Sequence, residues 1–167
     1  MNITEREFLE LLNSIEFPRL YWELCERFPV RPGGVANQGL KEEILAGFRE
    51  MGIDPCCDSR TYTVEEERIG DLTWSGVFVK QRHGVELMIE GISETAVLGS
   101  NFAVLAYDAK KLADPSFERD RFSGPPPYPR PDHNGDPVAL KAIVKEFVKL
   151  ARLIKDKLRT QVGGTNG

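Results

Sequence analysis

The chain is poor in the residues that most often announce chemistry. Its 167 residues include only two histidines and three cysteines. A zinc site takes three or four ligands, and neither His83 nor His133 has a Cys, His or Glu nearby at ligating spacing. Cys25, Cys56 and Cys57 are odd in number and two are adjacent. That argues against a disulfide framework and fits a reducing compartment. No apolar run approaches the ~20 residues of a membrane span. The opening MNITEREFLELL carries charge where a secretion signal would be apolar. Phosphate loops, dinucleotide fingerprints and Gly-x-Ser-x-Gly elbows are missing. Together these absences predict a cytoplasmic protein with no membrane partner, no cofactor and no metal.

What is present is ordinary for a globular chain: 41% hydrophobic and 29% charged residues. The length predicts one domain over residues 1–160 and a disordered tail over 161–167. The net charge of −4 conceals an asymmetry. Val138–Arg159 holds seven basic residues against two acidic ones, so the rest of the chain has nine more acids than bases. An acidic body favours a basic partner over nucleic acid.

The elements follow from pattern. Thr4-Glu5-Arg6-Glu7 is a capping box, with Ile3 and Phe8 placed as a hydrophobic staple. Phe8, Leu11, Leu12 and Ile15 share a helical face. Pro18 starts a second helix carrying Leu20, Tyr21, Leu24, Cys25 and Phe28. A third helix is predicted over Leu40–Met51, with Gly52 as its stop. Pro55–Arg60 reads as a break. Thr61–Ile69 alternates weakly. Trp74–Gln81 and Val85–Ile92 form a hairpin around Arg82-His83-Gly84. Val85, Leu87 and Ile89 share one face, opposed by Glu86 and Glu90, which predicts a one-sided sheet. Ala96–Gly99 is a short fourth strand, and Ser100 caps a helix. Asp136-Pro137 opens a closing amphipathic helix. Helices grouped apart from strands predict an α+β fold: N-terminal helices, an antiparallel meander of three to four strands, and C-terminal helices on one face of the sheet.

Few constellations carry chemistry. Pro125-Pro126-Pro127-Tyr128 has the PPxY form of WW-domain ligands, and Arg130 stands beside a PxxP run. The same residues serve equally as a stiff connector with Tyr128 tucked into the core edge. Asp132 beside His133 is an arrangement that orients a general base, although the default for both histidines is a surface loop. Burial as small hydrophobes is the expectation for Cys56 and Cys57. Asp71, Glu86 and Glu90 are hairpin carboxylates, but no Glu-x-Lys of the nuclease kind accompanies them. The basic helix lacks aromatics among its lysines for stacking bases, so a solvated face is its simpler reading.

From Trp74–Ile92, through Gly99–Leu105, Lys110–Phe117 and Pro126–Pro131 to the closing helix, the pattern resembles small bacterial immunity proteins found beside polymorphic toxins, and related uncharacterised α+β proteins. The resemblance spans about 62–159. It implies a non-enzymatic protein-binding module that inhibits a basic toxin domain. Exposed Glu65, Glu66, Glu67, Glu86 and Glu90 would then present the complementary surface, with Tyr128 and Arg130 as further binding residues. Two alternatives stay open. One is a metal-dependent, nuclease-like hydrolase using Asp132, His133 and strand carboxylates. The other is a nucleic-acid or adaptor module using the basic helix or the PPPY segment.

Overall fold

The computed structural model describes residues 3–31, 40–81, 84–117 and 130–163. Helices α1 (Glu5–Ser14), α2 (Phe17–Arg27) and α3 (Lys41–Glu50) come first. Strands β1 (Cys56–Asp58), β2 (Thr61–Ile69), β3 (Leu72–Lys80), β4 (Val85–Ile92) and β5 (Val97–Asn101) follow, then α4 (Phe102–Ala113) and α5 (Pro137–Gly163). The strands form one antiparallel sheet in sequence order. This is the predicted α+β fold.

The local signals act as their chemistry requires. The Thr4 hydroxyl accepts from the Glu7 amide at 3.2 Å, and the Glu7 carboxylate accepts from the Thr4 amide at 2.8 Å. Asp136 caps α5 by accepting from the Val138 amide at 2.9 Å. Tyr62, Leu72, Trp74, Phe78, Leu87, Ile89 and Leu98 are buried on the inner face of the sheet. The helices cover that face. Phe8 of α1 meets Trp74, Phe48 of α3 meets Phe78, and Phe147 of α5 meets both Phe78 and Phe102. Where α3 crosses α5, Gly47 permits close approach, since a Cβ there would stand 3.0 Å from the Val144 side chain.

Four expectations are corrected. The sheet has five strands, because Cys56–Asp58 pairs with Thr61–Thr63 instead of breaking the chain. Asn101 caps α4, accepting from the Val104 amide at 2.9 Å; Ser100 is still paired with Ile89 in the ladder. The closing helix continues through Gly163 into the expected tail. Cys56 is exposed and Cys57 half-buried, so neither is a fully buried hydrophobe.

The weak alternation of Thr61–Ile69 has a structural cause. Val64 pairs with Gly76 and Glu67 with Trp74, so Glu65 and Glu66 together stand opposite Ser75. This β-bulge shifts the side-chain phase by one residue. Tyr62 and Val64 face inward before it, and Glu67 and Ile69 after it.

Gly99 has φ +110°, and a Cβ there would overlap the backbone carbonyl of Ile89 on the neighbouring strand. Gly99→Ala should therefore cost about 2 kcal/mol or more. Gly52→Ala, at φ +74° in open space, should cost only about 1 kcal/mol. Urea midpoints measure both, and equal losses would refute the overlap.

Candidate functional site

Three places hold the residues of interest. The first is the corner where β4 begins. Glu86 pairs with Val79 in the ladder, so alternation predicts a solvated carboxylate, yet it is 7% exposed. The reason lies in the sheet edge. β5 ends at Asn101, opposite Met88, so the start of β4 is paired with β3 on one side and has no β5 residue on the other. Pro131 takes that place, accepting from the Val85 amide at 3.1 Å. Arg130 is thereby laid over Glu86, its guanidinium 2.5 Å from one carboxylate oxygen, while Gln81 donates to the other at 2.9 Å. The expectation of Glu86 as a docking carboxylate is thus corrected: its charge is buried and spent on Arg130. Arg130 is likewise committed to the body.

The next residues join α2 to α5. The Asp132 amide donates to Phe28 O at 2.8 Å, and Asn134 donates to Pro29 O at 2.9 Å. Asp132 Oδ1 accepts from the Asn134 amide at 3.0 Å, and His133 Nδ1 accepts from the Gly135 amide at 3.0 Å. Neither Asp132 nor His133 lies on the surface; both are buried. With Nδ1 accepting, the neutral imidazole carries its proton on Nε2, and Nε2 has no hydrogen-bond partner among the described residues. Burial, the largest influence, holds the His133 pKa below 6.5; Lys80 adds to this, and Asp132 and Asp136 oppose it.

The second place is the outer face of the sheet. Val77, Val79, Met88, Ile92 and Val97 point to it by register, among Thr63, Thr73 and Ser75. Met88 and Ile92 are each 45% exposed and Val97 67%. Glu90 and Asp58 are exposed there, with Arg68 opposing them, and Glu94 is exposed in the β4–β5 turn.

The third is a cleft of about 420 Å³ between the inner face of β2–β4 and α5. Phe48, Trp74, Leu87, Ile89 and Val148 supply its apolar lining, and Gly76 lies in its floor. Charged groups stand at the mouth. The bulge turns Glu67 inward, where it accepts from Lys155 at 2.8 Å and from Arg159. Those bonds, Lys155 first, hold the Glu67 carboxyl below its usual range. Arg152 donates to the Met51 carbonyl at the end of α3. Glu66 is exposed beside the mouth. Glu67 is therefore not a free surface carboxylate either. The side chain of Glu65, and Tyr128 with the PPPY segment, lie outside the described residues.

The chain matches no protein-family model, no curated protein and no solved structure. Function must be argued from the geometry alone. Among the described residues, no three or more His, Cys, Asp or Glu side chains are grouped to hold a metal, and no helix is long and apolar enough to cross a membrane.

Sequence reasoning missed Gly76, Arg152 and Lys155. The available signal for Gly76 was its place in Trp74-Ser-Gly-Val-Phe78, where alternation calls for an inward side chain and none is supplied.

Two measurements check this region. Arg130→Ala should destabilise by about 3 kcal/mol, because it strands the Glu86 carboxylate in a buried site. The double variant Arg130→Met/Glu86→Leu should recover most of that loss in urea unfolding. An additive double mutant would refute the coupling. His133 binds protons less readily folded than unfolded, so the stability it contributes is full above about pH 6.5 and lost as pH falls. Between about pH 7.5 and 5.5 the wild type should lose stability relative to His133→Asn, whose amide oxygen replaces Nδ1 as acceptor. Parallel curves would count against a buried, neutral histidine.

Proposed function

We propose that this protein is a non-enzymatic protein-binding module, an immunity-type inhibitor that engages a basic protein domain through the outer face of its sheet. The observation that carries this reading is the exposed apolar set Met88, Ile92 and Val97, on the face opposite the one that Phe8, Phe48 and Phe147 of the helices cover. Ile92 and Val97 are cross-strand neighbours, Val77 lies opposite Met88, and Glu90 stands between the two pairs; exposed apolar patches among polar residues mark interaction surfaces. Strands three to nine residues long, about 4.8 Å apart and rising about 3.3 Å per residue, give this face roughly 500 Å², so a partner reaching the ~800 Å² of a standard interface must also touch the turns around it.

Charge favours a basic partner. The cations of α5 lie on the helical side and are largely spent within the molecule: Lys141 and Lys145 bind Glu50, and Lys155 and Arg159 bind Glu67. The outer face keeps Asp58 and Glu90 against Arg68, and Glu94 is exposed in the adjoining β4–β5 turn. The partner is therefore attracted by carboxylates and held by apolar contact.

The test is a pull-down from host lysate run in parallel with wild type, Met88→Glu/Val97→Glu and Glu90→Lys. The expected result is one stoichiometric basic protein, lost with the double variant and weakened by Glu90→Lys in a salt-dependent way. Retention of the same partner by both variants, or no stoichiometric partner at all, overturns the proposal.

A further inference from the structure

We propose that the cleft between β2–β4 and α5 is a binding site for a small amphipathic monoanion: one ring system or a short acyl chain carrying a single carboxylate or similar acid.

Gly76 sits within the nine-residue strand β3, paired with Val64 on one side and Ile89 on the other. Glycine in a strand interior weakens the strand. No compensating need exists at this position. Gly76 is not among the glycines of positive φ, and a Cβ built there meets nothing closer than Met88 O at 3.7 Å. A Cβ fits the backbone and its surroundings at ordinary contact distances. What its absence leaves is space on the inner face between Trp74 and Phe78, opening into the cleft. The volume of about 420 Å³ falls within the ~300–1,000 Å³ of small-molecule sites. The lining is apolar and aromatic, as such sites require.

The mouth selects the head group. Arg152 and Lys155 stand three residues apart on α5, hence on one face, and both border the cleft. Glu67 already receives Lys155 and Arg159. Arg152 gives one bond to the Met51 carbonyl, a neutral acceptor. Its guanidinium has five donors, and no carboxylate among the described residues is paired with it. Of the acids at the mouth, Asp54 faces Arg49 at 3.5 Å and points to solvent, and Glu66 is exposed. An acid head entering above the apolar floor meets Arg152 first and Lys155 beside it.

The test titrates the protein with decanoate, decanol and decylammonium, each followed by displacement of the fluorescent aromatic sulfonate 8-anilinonaphthalene-1-sulfonate. Decanoate should bind saturably, about tenfold more tightly than decanol, the size of one charge-assisted hydrogen bond, with decylammonium weakest. Arg152→Gln should remove the preference for decanoate while leaving decanol binding. Gly76→Leu should abolish binding of all three and leave the urea midpoint unchanged or higher. Gly76→Ala, a smaller step into the same space, should weaken binding in part. Absence of saturable binding, indifference to the head group, or full binding by both Gly76 variants would each overturn the proposal. Sulfonate fluorescence that falls with Met88→Gln but not with Gly76→Leu would assign the dye to the outer face and overturn it as well.

Discussion

A chain of aromatic contacts holds the two layers together. Tyr62 and Phe78 stand on the sheet. Phe48 of α3 packs edge-on to Phe78, Phe147 of α5 meets Phe78 at 6.0 Å, and Phe102 of α4 meets Phe147 at 5.5 Å. From Phe102 the contact passes to Phe17 and Tyr21 of α2. Most of these pairs are edge-to-face, the geometry in which ring quadrupoles attract. One buried path thus links four helices to the sheet. Because it runs along one face only, the inner face carries the aromatic core with the cleft beside it, while Met88, Ile92 and Val97 of the outer face stay exposed. The placement of both surfaces argued above follows from that single-sided packing.

Electrostatics adds a second constraint. The basic stripe of α5 is turned to the acidic body, where Glu50 takes two lysines whose bonds bring its carboxyl down to about 2. Exposed pairs of this kind contribute little stability individually. Their larger effect is on distribution: cations that would otherwise form an open basic surface are met by the chain's own carboxylates. The asymmetry seen in the sequence is therefore mostly cancelled between α5 and its neighbours. It does not survive as a free basic face on one side of the molecule.

The fold was legible because its signals are local. The capping box at Thr4, the Asp136-Pro137 start of α5 and the helical stripes each depend on residues within one or two turns. The candidate sites were much less legible because each depends on a non-local event. Glu86 alternates correctly with Leu87 and looks solvated, and only the approach of Arg130, forty-four positions away, buries it. His133 reads as a loop residue until the α2 end closes over it. Glu67 reads as one of three surface acids until an extra residue in β2 turns it inward. Weak alternation in Thr61–Ile69 was visible, but a bulge and a poor strand leave the same trace in a single sequence. The edge strand at Cys56–Asp58 was invisible for a similar reason: three residues contain no period to read.

The bulge and Gly76 form one device. They are adjacent, since the bulge at Glu65 and Glu66 follows directly on the Val64–Gly76 pair, at the centre of the sheet where a regular ladder and a β-branched residue would give the firmer structure. Each departs from that optimum in the same direction. The bulge moves a carboxylate to the cleft mouth and draws Lys155 to it, and the glycine withholds the side chain that would fill the floor. Two adjacent departures that both act on one cavity are hard to attribute to independent drift in packing. Local rules broken together at one point mark a functional site more often than a packing accident. The outer face breaks no such rule, since one-sided sheets are common. Its case rests on exposed apolar area, whereas the cleft rests on what the strand gives up to keep it open.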